Sequence, residues 1–551
     1  MMKNILFIIA ILIFTFPINA QEASENNQPV CFIITDSRLQ DLYNHAIEKS
    51  KQNLARFGKY KVLVEGAGYN NVWLETQPMG GYMYGKRDPE IARNNIEIFI
   101  DYQRSDGRFP GMISCENGSL KAHYGWFQGF YLAEPAFESW FLFGKDKKFI
   151  RKVYDSLQAF DDYLWRTRDS NKNGCLEIWC LGDAGEDNSV RLGKIPQCWP
   201  FDNPPLWNKI ESMPANKRKE IIQNLFQDSI KTYLLPVESM DIMSYSYTCR
   251  DVLAKIAHES GNDREIFWRT KADEVKKALK GHLWDSDRHA CYDKDNAGKV
   301  INILIHNNLR CMYFGSFNQH MADEFIRFHL MNKKEFWTPF PLPSIAVSDK
   351  MFKNEPGNDW SGQPQGLTYQ RSIRALENYN HYAELTLLGK AFLGNLKKYN
   401  KFTQQYDPFT GTPNQSPDGY GPTILATLEF ISRMYGIHIT QNKIYWSCIL
   451  TNEELQYTQR YKETVLQMKT NKNKVNCYIN GKKILSFNKG LRIITDLNGK
   501  LTGAAGIETA NVHTTIYYNH QTYKVNVMPN STYTFNGKMN LLNNIPFYKP
   551  F

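Results

Sequence analysis

The stretch DSRLQDLYNHAIEKSKQNLARF, Asp36 to Phe57, opens with an aspartate able to cap a helix and places Leu39, Leu42, Tyr43 and Ile47 at helical spacing. Similar patterns recur along the chain, with further helix starts near Asp88, Phe127, Asp146, Asn216, Ser239, Asp263, Val300, Asn318, Gln363, Asn380 and Pro422. Together they make about twelve helices in pairs, the number that an (α/α)6 toroid requires. Long connections rich in Gly, Pro, Trp and acidic residues separate some of them: Val64–Arg87, Thr167–Asn216, Phe336–Gly362 and Asn400–Gly421. Long loops in a compact domain are usually functional or disordered, and these are too aromatic and acidic to read as low-complexity linkers. After Ile437 the texture changes. From Lys443 onward β-type runs such as IYWSCIL and TTIYYNHQTYKVNV alternate with turn signals, including the Asn-Gly turns of INGK and LNGK. The expected architecture is therefore mainly α, a toroid over residues 21–437, followed by a β-sandwich-like domain over residues 438–551.

Residues 1–20 read as an export signal. Lys3 supplies the positive start, Ile5 to Phe16 the apolar run, and the stretch ending at Ala20 the cleavage site. The run falls short of the ~18 apolar residues of a membrane span, and no later segment approaches that length. A periplasmic or secreted protein is expected, without a transmembrane segment.

The 551 residues carry a formal net charge of +10, mild for this length, with no Lys/Arg tract. A nucleic-acid partner needs a clustered basic face, so none is expected. The ten cysteines are scattered without a CxxC pair, which argues against zinc. Export permits disulfides, and Cys175 with Cys180 flank a loop that a bridge can staple; free buried thiols are the alternative. DSNKNGCLE, Asp169 to Glu177, starts like a calcium loop, but Cys180 stands where the bidentate glutamate belongs. No metal and no cofactor are expected. Aromatic residues reach 14%, with 12 Trp and 31 Tyr. Sugars stack on such faces, so a carbohydrate partner is one reading and an aromatic-rich core the equal alternative.

LGDAGEDNSVRLG, Leu181 to Gly193, sets acids around a glycine kink with an arginine four residues on. It resembles the acid loop E-S-G-x-D-N-S-P-R of the trehalase-like (α/α)6 glycoside hydrolases, which include glycoside hydrolase family 63 and the mannosylglycerate hydrolases. EFWTPFPLPSIAVSDKMF, DWSGQPQGLTYQRSIRALENY and YDPFTG…DGYGPT are similar to later loops of that group, in the right order, over about residues 60 to 437.

The resemblance implies hydrolysis of a glycosidic bond with inversion, usually at an α linkage. One carboxylic acid protonates the leaving oxygen while a second carboxylate, ~6.5–9.5 Å away, activates water on the opposite face. It places the proton donor at Asp187, matches Asp183 and Arg191 to the family's Glu and Arg, and leaves Glu186 at a variable position expected to be exposed. Asn188 and Arg191 would orient Asp187 or hold sugar hydroxyls. The family's base position falls on Gln404, four residues before Pro408, and an amide cannot take the proton. Asp418 is the first substitute, then Asp407, then Glu384; the remaining alternative is that no base exists. Glu75 replaces the Asp of the family's W-D motif in WLETQPMGG, so Trp73, Glu75 and Gln77 are candidate sugar contacts. Trp126 and Gln128, beside His123, are candidate mouth residues. Trp360, Gly362 and Gln363 fit the W-R-G loop, with Ser361 in place of its Arg.

The resulting expectation is an exo-acting glycosidase acting on an oligosaccharide or glycoside. The competing readings are a polysaccharide lyase on a related toroid and a sugar-binding protein that has lost its base.

Overall fold

The computed structural model describes residues 28–193, 195–199, 209–230 and 234–551. The export-signal stretch, residues 1–20, lies outside these. Twelve helices build the barrel: α1 Ser37–Gln52, α2 Gln77–Tyr84, α3 Pro89–Asp101, α4 Ala133–Leu142, α5 Lys147–Thr167, α6 Met240–Ser260, α7 Glu265–Leu283, α8 Asn307–Phe314, α9 Gln319–Phe325, α10 Gly366–Glu377, α11 Tyr382–Tyr399 and α12 Gly421–Tyr435. The even-numbered helices pack side by side in the order α2–α4–α6–α8–α10–α12 and back to α2, which closes an inner ring. The odd-numbered helices form the outer layer, with α3 against α2, α5 and α7 against α6, and α1 and α11 against α12.

Local chemistry sets the helix ends. Asp36 Oδ1 accepts the Leu39 N–H at 3.1 Å, so α1 starts where the sequence places it, with Leu39, Leu42 and Tyr43 buried and Ile47 half-buried. Asp146 caps α5 and Ser239 caps α6, which ends at Gly261 with φ of 65°.

The total of twelve is reached with different members. The helix expected near Asn216 exists as Ala215–Ile230, but it is an excursion between α5 and α6, tied down by Arg218 Nε donating to the Ser170 carbonyl at 2.9 Å. The missing wall is α2, inside the segment read as a loop. Its sequence QPMGGYMY has two glycines and little helix propensity. Tertiary packing makes it a helix: a Cβ on Gly81 would sit 2.6 Å from Asn95 Cβ on α3, and one on Gly80 would sit 3.1 Å from Leu425 on α12.

The β region is two antiparallel sheets. One has six strands in the order Ile437–Thr440, Lys443–Cys448, Leu491–Asp496, Leu501–Ala505, Ser531–Phe535 and Met539–Asn544. The other has seven, ordered Val30–Ile34, Leu455–Tyr461, Thr464–Asn471, Lys474–Ile479, Lys482–Asn488, Val512–Tyr518 and Gln521–Val527. Asn480 and Gly481, both at positive φ, make the tight turn expected from INGK. The domain division is corrected at its N-terminal end. Val30–Ile34 pairs with Leu455–Tyr461, Val30 opposite Gln459 and Ile34 opposite Leu455, so the segment before α1 belongs to the β unit. It covers an edge that would otherwise stay open. "Mainly α" also needs qualifying, since helix accounts for 38% and strand for 24%.

The C-terminal ends of the inner helices meet the β unit. Met83, Glu138, Tyr313, Glu377 and Arg433 line a floor cavity together with His438, Thr440, Tyr445 and Arg492 of the sheets. Their N-terminal ends therefore converge on the opposite mouth, where the helix dipoles favour negative charge. Among the described residues no helix is long and apolar enough to cross a membrane.

Candidate active site at the barrel mouth

The acid loop follows a one-turn helix, Leu181–Ala184, that ends on Gly185 with φ of 67°. A Cβ on Gly185 would come 2.4 Å from Glu75 Oε2, so the glycine allows the loop to lie directly on that carboxylate. Three anchors fix the next residues. The Trp360 N–H donates to the Asp187 carbonyl at 3.1 Å, Asn188 Nδ2 donates to the Asn358 carbonyl at 2.6 Å, and Val190 N–H donates to Ser361 Oγ at 3.0 Å. Ser361 thus fastens the acid loop.

Asp187 is held by neutral amides alone. Gln197 Nε2 donates to Oδ1 at 2.7 Å and Asn358 Nδ2 to Oδ2 at 3.0 Å. Burial raises its carboxyl above the usual range against the pull of these amides and of Gln128. Glu75 lies beside it, accepting from Arg371 Nη2 at 2.9 Å and from Gln128 Nε2 at 3.4 Å. Burial pushes Glu75 up to about 7; Arg371 opposes the rise and Asp187 adds to it.

Across the mouth, Gln404 is linked to Asp187 through one residue. Its Nε2 donates to Asn358 Oδ1 at 2.9 Å, and its Oε1 accepts the Tyr69 hydroxyl at 2.9 Å. Asn358 thus bridges the side chains of Asp187 and Gln404, and the second of these is an amide. Glu65, which sequence reasoning passed over, completes the group. Its Oε1 accepts the Tyr420 hydroxyl at 2.8 Å, and burial together with the charges of Glu75 and Asp187 pushes its carboxyl up to about 8.

The three substitute bases point elsewhere. Asp418 pairs with His45 at 3.0 Å and Lys49 at 3.2 Å on outer helix α1 and accepts the Phe402 N–H, which moves it behind the closing loop. Asp407 caps its own turn through the Phe409 and Thr410 N–H groups and binds Asn354. Glu384 is fully buried against the β unit, accepting from Asn530 Nδ2 at 2.8 Å and from the Tyr548 N–H at 2.9 Å.

Other expectations change as well. Glu186 is 1% exposed rather than on the surface, and accepts from Arg191 Nε at 2.5 Å. Arg191 does not reach Asp187; its other contacts are Asp293 at 2.6 Å and Asp241 at 3.8 Å. Asp183 is fully buried and takes Arg168, the Trp179 N–H and the Phe127 N–H, so no sugar can reach it. Gln77 spends its oxygen on the Trp73 N–H and the Thr76 hydroxyl at the start of α2. Gly362 serves packing, since a Cβ there would overlap the Lys353 carbonyl, and Gln363 binds Asn354 beside it. Trp360 is buried, its ring near His306 and Arg310 beneath the loop. Trp73 and Trp126 remain half-buried, and Trp126 packs on Gly182 at the start of the acid loop. His306 is pushed far below its usual range by burial and by Arg310, Arg371 and Arg191, so it stays neutral in this cationic layer.

Cys175 and Cys180 are buried thiols rather than a bridge. Among the described residues, one group has metal-ligand chemistry: Cys175, Glu238 and His282, with ligand atoms within 4.8 Å of one another. The Asp169–Glu177 segment is an Asx-rich turn in which Asn171 accepts the Asn173 N–H and Asn173 accepts the Cys175 N–H.

Residues 82–421, well over half of the chain, match the family described as mannosylglycerate hydrolase MGH1-like glycoside hydrolase domain. The chain belongs to that family. The MGH1-like match runs from the last residues of α2 to the first residue of α12 and includes the acid loop and the Gln404 loop. Solved structures agree on the fold. The GH63 mannosylglycerate hydrolase from Thermus thermophilus in complex with Tris aligns at 18% identity and TM-score 0.55, over 71% of this chain and 100% of that one. The same enzyme in complex with glucose aligns at 19% identity and TM-score 0.52, over 71% and 99%. A structure named sialidase aligns over 87% of this chain and 42% of its own at TM-score 0.64 and 14% identity, so that likeness extends past the barrel.

Proposed function

We propose that this MGH1-like protein is an exported, exo-acting glycosidase that cleaves an α-linked glycoside with inversion, using Asp187 as proton donor. The observation that carries the reading is the Asp187 environment. A general acid must hold its proton near neutral pH. Asp187 is half-buried, held by neutral amides and close enough to Glu75 and Glu65 for its charge to raise both, while Arg371 is taken up by Glu75. Nothing cationic among its hydrogen-bond partners stabilises the ionised form. Export rests on Lys3 and the apolar run Ile5 to Phe16, and an oligosaccharide substrate on the half-buried Trp73 and Trp126 at the mouth. The alternative of a sugar-binding protein rests on Gln404, an amide at the family's base position. Release of reducing sugar from a panel of α-linked disaccharides separates the two. Turnover supports hydrolysis, and saturable binding without turnover on any member supports the binding protein.

A further inference from the structure

Asp187 cannot invert a glycosidic bond alone, and Gln404 cannot help it. The Gln404 oxygen accepts from Tyr69 and its nitrogen donates to Asn358, so the side chain acts as a neutral strut between the two loops. Resting on the hydrolase reading above, we propose that Glu65 is the carboxylate that activates the attacking water, in place of the acid missing at Gln404.

The placement is specific. The Gly421 N–H at the start of α12 donates to the Glu65 carbonyl at 2.6 Å, and the next residue, Gly66, turns at φ of 82°. A Cβ on Gly66 would lie 2.5 Å from the Gly419 carbonyl, so only glycine lets this loop press against the closing loop that carries Gln404. Tyr420, whose hydroxyl holds Glu65 Oε1, lies 6.2 Å from the Tyr69 ring, and Tyr69 donates to Gln404. Glu65 thus stands two tyrosines away from the usual base position, on the same side of the mouth. The residue is 7% exposed, yet among the described residues no donor reaches its second oxygen, which leaves that oxygen for water.

Elimination points the same way. Asp418, Asp407 and Glu384 face away from the mouth. Glu75 is ion-paired to Arg371 and lies against Gly185, on the acid loop's own side. Burial and the neighbouring acids push Glu65 to about 8, so near neutral pH it shares one proton with Asp187, and the reactive form is the one with that proton on Asp187 and Glu65 ionised. In the step, the water oxygen bonds to the anomeric carbon and gives one proton to Glu65. The glycosidic C–O bond breaks, and its oxygen takes the proton of Asp187. The cycle closes when the Glu65 proton returns to Asp187 through solvent.

The test uses the full chain and the α-glycosyl fluoride that the wild type cleaves best, because fluoride leaves without a proton. Glu65→Gln should lower turnover by ~10²–10⁴-fold, while Asp187→Asn loses far less on the same substrate. Glu65→Ala should recover turnover with azide and yield the glycosyl azide of inverted configuration. Adding Gln404→Glu to Glu65→Gln should restore activity, since the carboxylate returns to its usual place. Should the Glu65 variants fail to fold, Tyr420→Phe gives a milder reading. It removes a hydrogen bond that lowers the Glu65 pKa, so the alkaline limb of activity should move up in pH; an unmoved limb overturns the assignment. Folded Glu65→Gln with near wild-type turnover also overturns it and leaves the hydrolase reading standing. A wild type that cleaves no glycoside defeats that reading itself.

Discussion

Replacing Asp187 by asparagine removes one proton and almost nothing else. Asp187 accepts from two amides, Gln197 at 2.7 Å and Asn358 at 3.0 Å. An asparagine keeps one acceptor and turns an NH2 toward the other donor, so one neighbouring amide must flip or one hydrogen bond is lost. The stability cost is about 0.5–1.5 kcal/mol, small enough for a folded variant. Turnover responds on another scale. Loss of a positioned general acid costs about a hundred- to ten-thousand-fold, equivalent to ~2.7–5.4 kcal/mol of transition-state stabilisation. That loss applies only where the leaving oxygen needs the proton. The assay compares kcat on an α-linked oligosaccharide with kcat on the nitrophenyl glycoside of the same sugar, whose phenolate leaves unprotonated. The oligosaccharide should show the full loss and the aryl glycoside roughly tenfold or less. Equal losses on both would refute the proton-donor role and assign Asp187 to binding.

Glu75→Gln removes a negative charge that raises Glu65 and frees Arg371, which lowers it, while Asp187 and the Tyr420 and Tyr69 hydroxyls remain in place. Both changes lower the pH at which the last shared proton leaves, so the alkaline limb of kcat, expected near pH 8 in the wild type from the Glu65 value, should move to lower pH; a titration of rate against pH reads it. Asp418→Asn should leave turnover within about twofold and cost at most about 1 kcal/mol in urea unfolding, because its partners His45 and Lys49 sit on the outer helix of the barrel in partial contact with solvent.

The barrel was legible where helices carry their own signals. Asp36, Asp146 and Ser239 cap the helices that their positions announce, and Leu39, Leu42 and Tyr43 form the buried face of α1. The helix α2 was not, because Gly80 and Gly81 are chosen for close approach to α3 and α12 and weaken the local helix pattern. The N-terminal strand was hidden for a related reason. Val30–Ile34 pairs with residues more than four hundred positions away, and no local pattern records a partner at that distance. At the candidate site, Asp187 was singled out through its loop motif, but a motif cannot say which neighbouring charges face the mouth. Asp183, Glu186 and Arg191 share that loop and turn inward, Asp183 to Arg168, Glu186 to Arg191, and Arg191 also to Asp293 and Asp241, while Glu65 comes from a loop about 120 residues earlier. One clue was present in the sequence: Glu65 is an acid at the start of the Val64–Arg87 segment, already marked as too long and too aromatic to be a plain connection.

The central claim is that two carboxylates act on opposite faces of an α-linked sugar. Proton NMR of the reaction in its first minutes, before the anomers equilibrate, tests it directly by recording which anomer of the released sugar forms first. The account predicts the β anomer as the first product, converting to the α form only by mutarotation. Initial release of the α anomer would contradict inversion and with it the pairing of Asp187 with a water-activating base.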